Sequence, residues 1–199
     1  MSEPSRTKQP SVTLRPMRPS DVDRLLAWRA EPSARQHQPL LDLTREELLA
    51  HYITESRLPD RRGERFQWIV EAGEAMGWVT LVIRSWEHLV GEIAYNLSSR
   101  FHGRGYGTAA IRQLVGLAFT QGGLYRLEAR CSVENVPSFR LLEAVGFMRE
   151  AVLREYFVIH GRRVDHYFYS LLRPEWEGSR VPGVRPAGSG LRAPGPTLE

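Results

Sequence analysis

The 199-residue chain has very little cysteine and very little lysine. Cys131 is the sole cysteine, so no disulfide can form within the chain, and a reducing, cytoplasmic location is expected. No apolar run approaches the length of about 18 residues that a membrane helix needs, so a membrane partner is not expected. The first ten residues are polar and lack the apolar core of a secretory signal, which also favours the cytoplasm.

Positive charge comes almost entirely from arginine, because Lys8 is the sole lysine among 27 basic residues. The formal net charge is +4. A nucleic-acid surface would need clustered basic residues with aromatic residues among them. Here the arginines are scattered and acidic residues separate them, which is typical of a solvated surface. Nucleic acid is therefore not an expected partner. A modest attraction for anionic groups such as phosphates is expected.

The composition predicts one compact domain with two extended ends. Hydrophobic residues make up 42% and charged residues 25% of the chain, a normal balance for a globular protein. Residues 1–10 are polar and are predicted to be a disordered lead. In residues 178–199, nine of 22 positions are glycine or proline, which predicts a disordered tail. The folded domain is therefore expected to span residues 11–177.

Hydrophobic periodicity and turn residues predict alternating strands and helices along this domain. Strands are predicted at 12–15, 66–71, 75–83, 90–97, 124–131, 147–153 and 164–172. Helices are predicted at 20–29, 44–57, 107–120 and 137–145. Ser20 is predicted to cap the first, Thr44 and Glu47 to form a capping box at the second, and Gly146 to end the fourth. Hairpins dominate this order, so a single-domain, mixed α/β (α+β) fold is expected, with a mostly antiparallel central sheet flanked by helices.

One glycine-rich segment, His102-Gly103-Arg104-Gly105-Tyr106-Gly107-Thr108, lies between a predicted strand and a predicted helix. Glycines let the backbone turn tightly and present several N–H groups to one ligand. The N-terminus of the following helix adds partial positive charge, so the segment is suited to bind a pyrophosphate. It is not a Walker A loop, because the Gly-Lys-Ser/Thr ending is missing.

Two other interpretations of this segment stay open. Residues 105–110 satisfy the dinucleotide-binding pattern G-x-G-x-x-A, and Glu128 follows at a suitable distance. Against this, the polar residues 98–104 separate the segment from its strand, and Glu128 lies inside a predicted strand instead of at its end. The chain around the segment also lacks the repeated βαβ units of a doubly wound sheet. The other interpretation is a glycine-rich turn without a ligand.

The glycine segment resembles a motif of the GNAT superfamily of N-acetyltransferases. That motif, Q/R-x-x-G-x-G/A, opens the central helix of the fold, and its backbone amides hold the pyrophosphate of acetyl-CoA. Residues 102–107 match it, with His102 at the position of Gln or Arg. Further motifs resemble the RimJ/RimL-like branch of the superfamily, and the resemblance covers about residues 12–176. These motifs are Leu-Arg-Pro at 14–16, Asp21, Asn-Val-Pro-Ser at 135–138, Leu-Leu-Glu-Ala-Val-Gly-Phe at 141–147, and Gly161 with Asp165.

This resemblance implies an activity and a set of binding residues. The chain is expected to be an acetyl-CoA-dependent N-acetyltransferase that needs no metal. The six histidines likewise show no metal-ligand spacing. The residues expected to bind acetyl-CoA are Leu97, His102, Gly103, Arg104, Gly105, Tyr106, Gly107, Thr108, Asn135 and Ser138.

Glu92 is the first candidate for a catalytic base. An amine must be neutral to attack a thioester, so a side chain that accepts its proton assists the reaction. On its predicted strand Glu92 shares a face with Ala94 and Asn96, where a carboxylate is costly unless it is used or paired. The resemblance supports the role, since several GNAT members carry a base glutamate on this strand. The alternative is a surface glutamate that pairs with an arginine.

Ser138 is the candidate that protonates or steadies the departing CoA thiolate. Many GNAT members place a tyrosine acid at the position that Leu142 holds here, and the resemblance implies that the serine of N-x-x-S replaces it. The alternative is a hydroxyl that caps the helix. Glu155 is a further candidate, acting through a water relay. Cys131 has no His–Asp pattern nearby and is expected to be a buried thiol.

The acceptor is expected to be a primary amine. The resemblance favours the α-amine of a protein N-terminus, attacking acetyl-CoA directly within a ternary complex. A polyamine, an aminoglycoside or an amino acid is an alternative acceptor. A non-catalytic module that only binds acyl-CoA is an alternative of a different class. A homodimer is compatible with the sequence, which does not specify the assembly.

Overall fold

The computed structural model describes residues 10–52, 58–61 and 63–180, and within them seven strands form one sheet. The strands are β1 (Thr13–Pro16), β2 (Arg65–Ala72), β3 (Glu74–Ser85), β4 (Val90–Leu97), β5 (Arg126–Ser132), β6 (Met148–Ile159) and β7 (Arg162–Leu172). The helices are α1 (Val22–Ala30), α2 (Pro32–Arg35), α3 (Arg45–Tyr52), α4 (Tyr106–Thr120), α5 (Val136–Val145) and α6 (Arg173–Arg180). Short 3-10 turns cover Pro19–Asp21 and Ser99–Phe101.

The strands lie in the order β1-β2-β3-β4-β5-β7-β6. Every neighbouring pair is antiparallel except β4 and β5, which are parallel and are joined by helix α4. A parallel pair needs such a crossover, whereas the hairpins on either side need only short turns. The predicted mixed, mostly antiparallel sheet with one strand–helix–strand unit is confirmed.

Apolar side chains form a separate core on each face of the sheet. The larger core includes Ile111, Leu114 and other α4 residues packed against strand residues such as Ile93 and Leu127. The smaller core joins α1 and α3 to the other side of β2 and β3. We call these the α4 face and the α1 face. Because successive strand residues alternate between faces, Ile93 places the odd-numbered residues of β4 on the α4 face and its even-numbered residues on the α1 face.

The caps explain where two of the helices begin and end. Thr44 and Glu47 form the predicted capping box before α3, each side chain bonding the other residue's backbone N–H at 3.2 and 2.7 Å. Asn135 caps α5, since its Oδ1 accepts the Ser138 N–H at 3.2 Å. Gly146 ends α5 in the left-handed conformation, with φ of 111°, as predicted.

Some predicted boundaries differ from the structure. Ser20 does not cap α1, because it lies inside the 3-10 turn, and Asp21 takes the cap position instead. The Asp21 carboxylate accepts the Arg18 N–H and pairs with Arg15 on β1. Helix α2 was not predicted, and α6 runs three residues into the predicted tail. Three parts of these predictions lie outside the described residues. They are the lead over residues 1–9, the tail from residue 181, and residues 53–57 of the helix predicted at 44–57.

Candidate active site

The central strands β4 and β5 separate along part of their length. They pair only over 90–92 and 126–128, and both continue further. The Ser98 N–H donates to the Met76 carbonyl at 2.8 Å, so the even-numbered residues of β4 bond to β3. In an antiparallel ladder the intervening residues then point their N–H and C=O groups to the other side. The N–H groups of Tyr95 and Leu97 therefore face the gap between the strands.

The loop between β4 and α4 has the backbone conformation that an anion site requires. Gly103 and Gly105 lie in the left-handed region, with φ of 72° and 80°, where other side chains are strained. Gly105 is also the N-cap of the 15-residue helix α4. Among the described residues, the N–H groups at 103–108 find no backbone partner. These free N–H groups at a helix N-terminus fit a pyrophosphate.

Two side chains of the predicted binding set frame this loop. His102 Nε2 lies 2.9 Å from the Leu97 carbonyl oxygen, so the histidine fastens the loop to the end of β4. Arg104 is exposed beside the free N–H groups and can add positive charge for a phosphate. The histidine at position 102 therefore has a structural role of its own, separate from the predicted contact with a pyrophosphate.

Gly107 has a different purpose from the other two glycines. A Cβ atom there would lie 2.8 Å from Leu141 Cδ1, so the glycine allows α4 and α5 to pack closely. Tyr106 packs its ring edge-on against Phe101, with centroids 6.3 Å apart. The missing side chain of Gly107 thus serves the contact between the helices, and its predicted contact with acetyl-CoA stays a prediction.

A pair of hydroxyl groups connects β4 to α5 on the α4 face. Tyr95 Oη lies 2.9 Å from Ser138 Oγ and 3.3 Å from the Ser138 carbonyl oxygen. Ser138 does not cap the helix through its side chain, because Asn135 does so. Burial raises the pKa of Tyr95 above its usual value, so this phenol stays protonated at neutral pH. Tyr95 was not predicted as a site residue, although its place on the strand predicted at 90–97 was a signal that could have identified it.

The position of the family's tyrosine is filled differently in this chain. Leu142 is completely buried in the main core, so a tyrosine there would have to bury its hydroxyl among apolar side chains. The phenol beside Ser138 comes from β4 instead. Cys131 on β5 is buried as expected, and burial raises the pKa of its thiol to about 11. It therefore remains a thiol and not a thiolate at neutral pH.

Glu92 lies on the α1 face at the last paired position of β4, opposite Glu128. Its carboxylate pairs with Arg84 across the β3–β4 hairpin and with Arg130 of β5, the second pair at 2.5 Å. The Glu92 side chain is only 16% exposed. The arginine pairing that sequence analysis kept as the alternative is thus present, and a role as base remains a prediction.

The charges next to Glu92 are also paired. Arg126 bonds Glu128 at 2.8 Å and Glu150 at 2.6 Å, and Glu150 also accepts the Ser170 hydroxyl. Beyond Glu92 along β4, Ala94 is exposed and Asn96 has a buried Oδ1 without a hydrogen-bond partner in the described residues. Asn96 was not predicted as a site residue. Its Oδ1 is an unsatisfied acceptor on the α1 face.

Glu155 lies apart from these groups. It belongs to β6, which β7 separates from β5, and its side chain is 72% exposed. Its backbone has a positive φ of 52°, and its N–H donates to Asp165 Oδ1 at 2.7 Å. The structure therefore does not bring Glu155 next to Glu92 or Ser138.

The described part of the chain holds neither a metal-binding cluster nor a membrane-spanning helix. No group of three or more His, Cys, Asp or Glu side chains there is arranged to hold a metal ion. No helix in that part is both long and apolar enough to cross a membrane.

Comparisons with known proteins identify the family. A family model described as "Acetyltransferase (GNAT) domain" matches residues 11–148. The chain is 32% identical over 171 residues to the uncharacterized N-acetyltransferase p20 of Bacillus licheniformis. This alignment covers 84% of this chain and 96% of p20. It is 29% identical over 178 residues to the putative ribosomal N-acetyltransferase YdaF of Bacillus subtilis. That alignment covers 85% of this chain and 95% of YdaF.

A solved structure agrees with these sequence relatives. Mycobacterium smegmatis RimJ in complex with CoA-disulfide superposes with a TM-score of 0.70 at 26% identity, covering 83% of this chain and 84% of RimJ. The free amides of the glycine loop and the gap between β4 and β5 fit the donor that this family uses. The chain belongs to the GNAT family of N-acetyltransferases, enzymes that take their acyl group from acetyl-CoA.

Proposed function

We propose that this acetyltransferase acts in the cytoplasm on the α-amine of a protein N-terminus, by direct attack within a ternary complex. Its relative YdaF, named as a putative ribosomal N-acetyltransferase, supports an acceptor of this class. The observation that carries the proposal is the continuity between the glycine loop, the β4–β5 gap and the Tyr95–Ser138 pair. Together they would form one path for a long donor, with the thioester at the end beside Ser138.

The donor side of this path consists of backbone groups and neutral side chains. The N–H groups at 103–108 would bind the pyrophosphate, and Asn135 would use its amide nitrogen for the pantetheine part. The N–H groups of Tyr95 and Leu97 face the gap and would steady the acyl oxygen as negative charge develops there. Strand β4 holds the N–H groups of Tyr95 and Leu97, so little reorganisation is needed when the charge forms.

The transfer needs two proton movements that residues of this chain can assist. The amine nitrogen bonds to the acyl carbon as the carbon–sulfur bond breaks, and the amine loses a proton. Glu92 is the proposed acceptor of that proton, directly or through a water molecule. The departing sulfur takes a proton from the Ser138 hydroxyl as Ser138 takes one from Tyr95 through their 2.9 Å contact. The proton that Glu92 received then returns to Tyr95 through solvent, which restores both residues. The net products are the acetylated amine and the free thiol of CoA.

The charge balance of the α1 face favours an α-amine over a polyamine. Three arginines there match three glutamates: Arg84, Arg126 and Arg130, and Glu92, Glu128 and Glu150. A polycation binds best where carboxylates outnumber basic groups, which these pairs do not provide. An α-amine also has a pKa near 8, so a weak base is sufficient, whereas an alkyl amine near 10.4 needs more assistance.

Release of free thiol from acetyl-CoA tests the proposal. The acceptor panel would hold short peptides with free N-termini, the same peptides with blocked N-termini, spermidine, an aminoglycoside and single amino acids. Turnover with the free peptides, and none with their blocked counterparts, is the expected result. Preference for spermidine, the aminoglycoside or an amino acid would favour the small-amine alternative. The absence of turnover with every acceptor, despite acetyl-CoA binding, would favour the non-catalytic module.

A further inference from the structure

The gap between β4 and β5 begins at an ion pair on the α1 face. The two strands last pair at Glu92 and Glu128. The next residues of that face are Ala94 on β4 and Arg130 on β5, because side chains alternate along a strand. Arg130 Nη1 lies 2.5 Å from Glu92 Oε1, so this contact crosses the start of the gap. Ala94 is exposed although β4 is the middle strand of the sheet, so the α1 face is open beside this ion pair.

The two oxygens of the Glu92 carboxylate are engaged differently. Arg84 on β3 donates its Nε–H to Oε2 at 2.7 Å and also donates an Nη2–H to the same oxygen. A carboxylate oxygen has about two lone pairs for hydrogen bonds, so these two donors occupy Oε2. Within the described part of the chain, Oε1 has Arg130 as its one charged partner. Oε1 therefore keeps a lone pair on which it can accept a proton.

Arg130 is held more firmly than Arg84. Its guanidinium lies 5.7 Å from the ring centre of Tyr156 and 5.4 Å from that of Phe168. An aromatic face attracts a cation, most strongly where water is excluded. The Arg130 side chain is 20% exposed, whereas that of Arg84 is 49% exposed. Because solvent screens an exposed ion pair, Arg130 should have the larger influence on the charge and orientation of Glu92.

The other charged groups that face Glu92 are paired among themselves. Glu128, opposite on β5, bonds Arg126, and Arg126 also bonds Glu150 of β6. A histidine on the same face, His166 of β7, is buried. Burial lowers the pKa of His166, so this histidine carries no charge at neutral pH. The two arginines on the carboxylate are therefore the charges that act on Glu92 directly.

We propose that Arg130 is a positioning residue for acetyl transfer, which keeps the Glu92 carboxylate ionised and holds Oε1 as the oxygen that accepts the proton of the amine. This inference rests on the proposed function, in which Glu92 is the base. The amine nitrogen bonds to the acyl carbon, the carbon–sulfur bond breaks, and the proton of the amine moves to Oε1. Arg130 gives up no proton in this step. Its positive charge favours the ionised carboxylate, which is the form that can accept a proton.

The pH dependence of turnover, with a peptide that has a free N-terminus and saturating acetyl-CoA, tests this role. In Arg130→Gln the acid limb should move to higher pH by about one pH unit, because a carboxylate without its cation keeps its proton to a higher pH. Turnover above that limb should fall by roughly tenfold, since Oε1 loses its orientation. Arg84→Gln is the matched control and should move the limb clearly less. Arg130→Lys keeps the charge and should return the limb toward its wild-type position.

A double substitution shows whether Arg130 acts through Glu92. In Glu92→Gln protein, the addition of Arg130→Gln should lower turnover no further, because the two residues would act as one unit. The inference is overturned if Arg130→Gln keeps the wild-type limb and turnover per folded molecule while Glu92→Gln removes the limb. Wild-type turnover and limb in Glu92→Gln would instead overturn the assignment of the base. If Arg130→Gln does not fold, Arg130→Met keeps the packing against both rings, and the same results are expected of it.

Discussion

Polar groups are arranged differently on the two faces of β4. On the α4 face, Tyr95 bonds Ser138 between neutral hydroxyl groups, and the backbone N–H groups of Tyr95 and Leu97 face the gap between β4 and β5. On the α1 face, Glu92 is one member of a group of paired charges. The α4 face, proposed to bind the donor, therefore depends mainly on backbone geometry. The α1 face, proposed to bind the acceptor, depends on which charged side chains pair.

This difference predicts different consequences for substitutions on the two sides. A change in backbone conformation on the donor side should remove binding of acetyl-CoA. A change of charge on the acceptor side should alter turnover if Glu92 is the base, and stability if Glu92 is only a structural partner. Measuring binding, turnover and melting temperature on each variant therefore separates the two faces.

The largest effect is expected for Gly105→Val. A valine cannot adopt the left-handed conformation of Gly105 without strain, so the loop should lose the arrangement of its N–H groups. No measurable affinity for acetyl-CoA is expected in calorimetry. Gly73→Val is the matched control, because Gly73 has a similar φ of 78° in the β2–β3 turn with no atom near its Cβ position. Normal acetyl-CoA affinity in Gly105→Val would show that the site lies elsewhere.

The second effect concerns the charge on the α1 face. Glu92→Gln should reduce turnover by roughly 100-fold, the scale of a single acid–base group, with acetyl-CoA affinity nearly unchanged. Glu128→Gln is the control, since Glu128 faces Glu92 across the strands, is similarly buried at 15% exposure and is also paired with an arginine. Equal turnover in the two variants, together with equal loss of melting temperature, would assign Glu92 a structural role.

A smaller effect is expected for the hydroxyl pair. Ser138→Ala and Tyr95→Phe should each lower turnover by roughly tenfold, because a thiol with a pKa near 8.5 is a good leaving group that needs only a weak donor. Acetyl-CoA affinity should change little. Tyr167→Phe alters another partly buried tyrosine of the same face and should have no effect. If either hydroxyl variant keeps full turnover per folded molecule, that hydroxyl does not donate the proton.

Much of the fold could be predicted because local signals determine it. The strand predicted at 90–97 coincides with β4, and Gly146 ends α5 as its position after an apolar helix indicates. Helix α2 was missed because four residues show no periodicity. Helix α6 was missed because its residues resemble the glycine- and proline-rich tail, although Trp176 packs against Phe119 with ring centroids 5.3 Å apart.

The site was less accessible to sequence reasoning, because its contacts join distant positions. Tyr95 and Ser138 are 43 residues apart, and only the strand order brings them together. The arginines beside Glu92 follow from the register of two strand pairs: Arg84 from the β3–β4 hairpin and Arg130 from the parallel strand β5. The position of Glu92 on its strand indicates a pairing with an arginine, but the partners Arg84 and Arg130 depend on contacts that the sequence does not specify.

The smallest effect distinguishes two functions of Asn135. Its Oδ1 caps α5, so Asn135→Ala should destabilise the fold by about 1 kcal/mol. In a domain of this size that loss lowers the melting temperature by roughly 2–4 °C. Asn135→Ser keeps a capping oxygen and should retain most of the stability, but it removes the amide nitrogen proposed to contact the donor. Weaker acetyl-CoA binding in Asn135→Ser at nearly wild-type stability would therefore assign the nitrogen to the donor side, whereas unchanged binding would leave Asn135 with the cap alone.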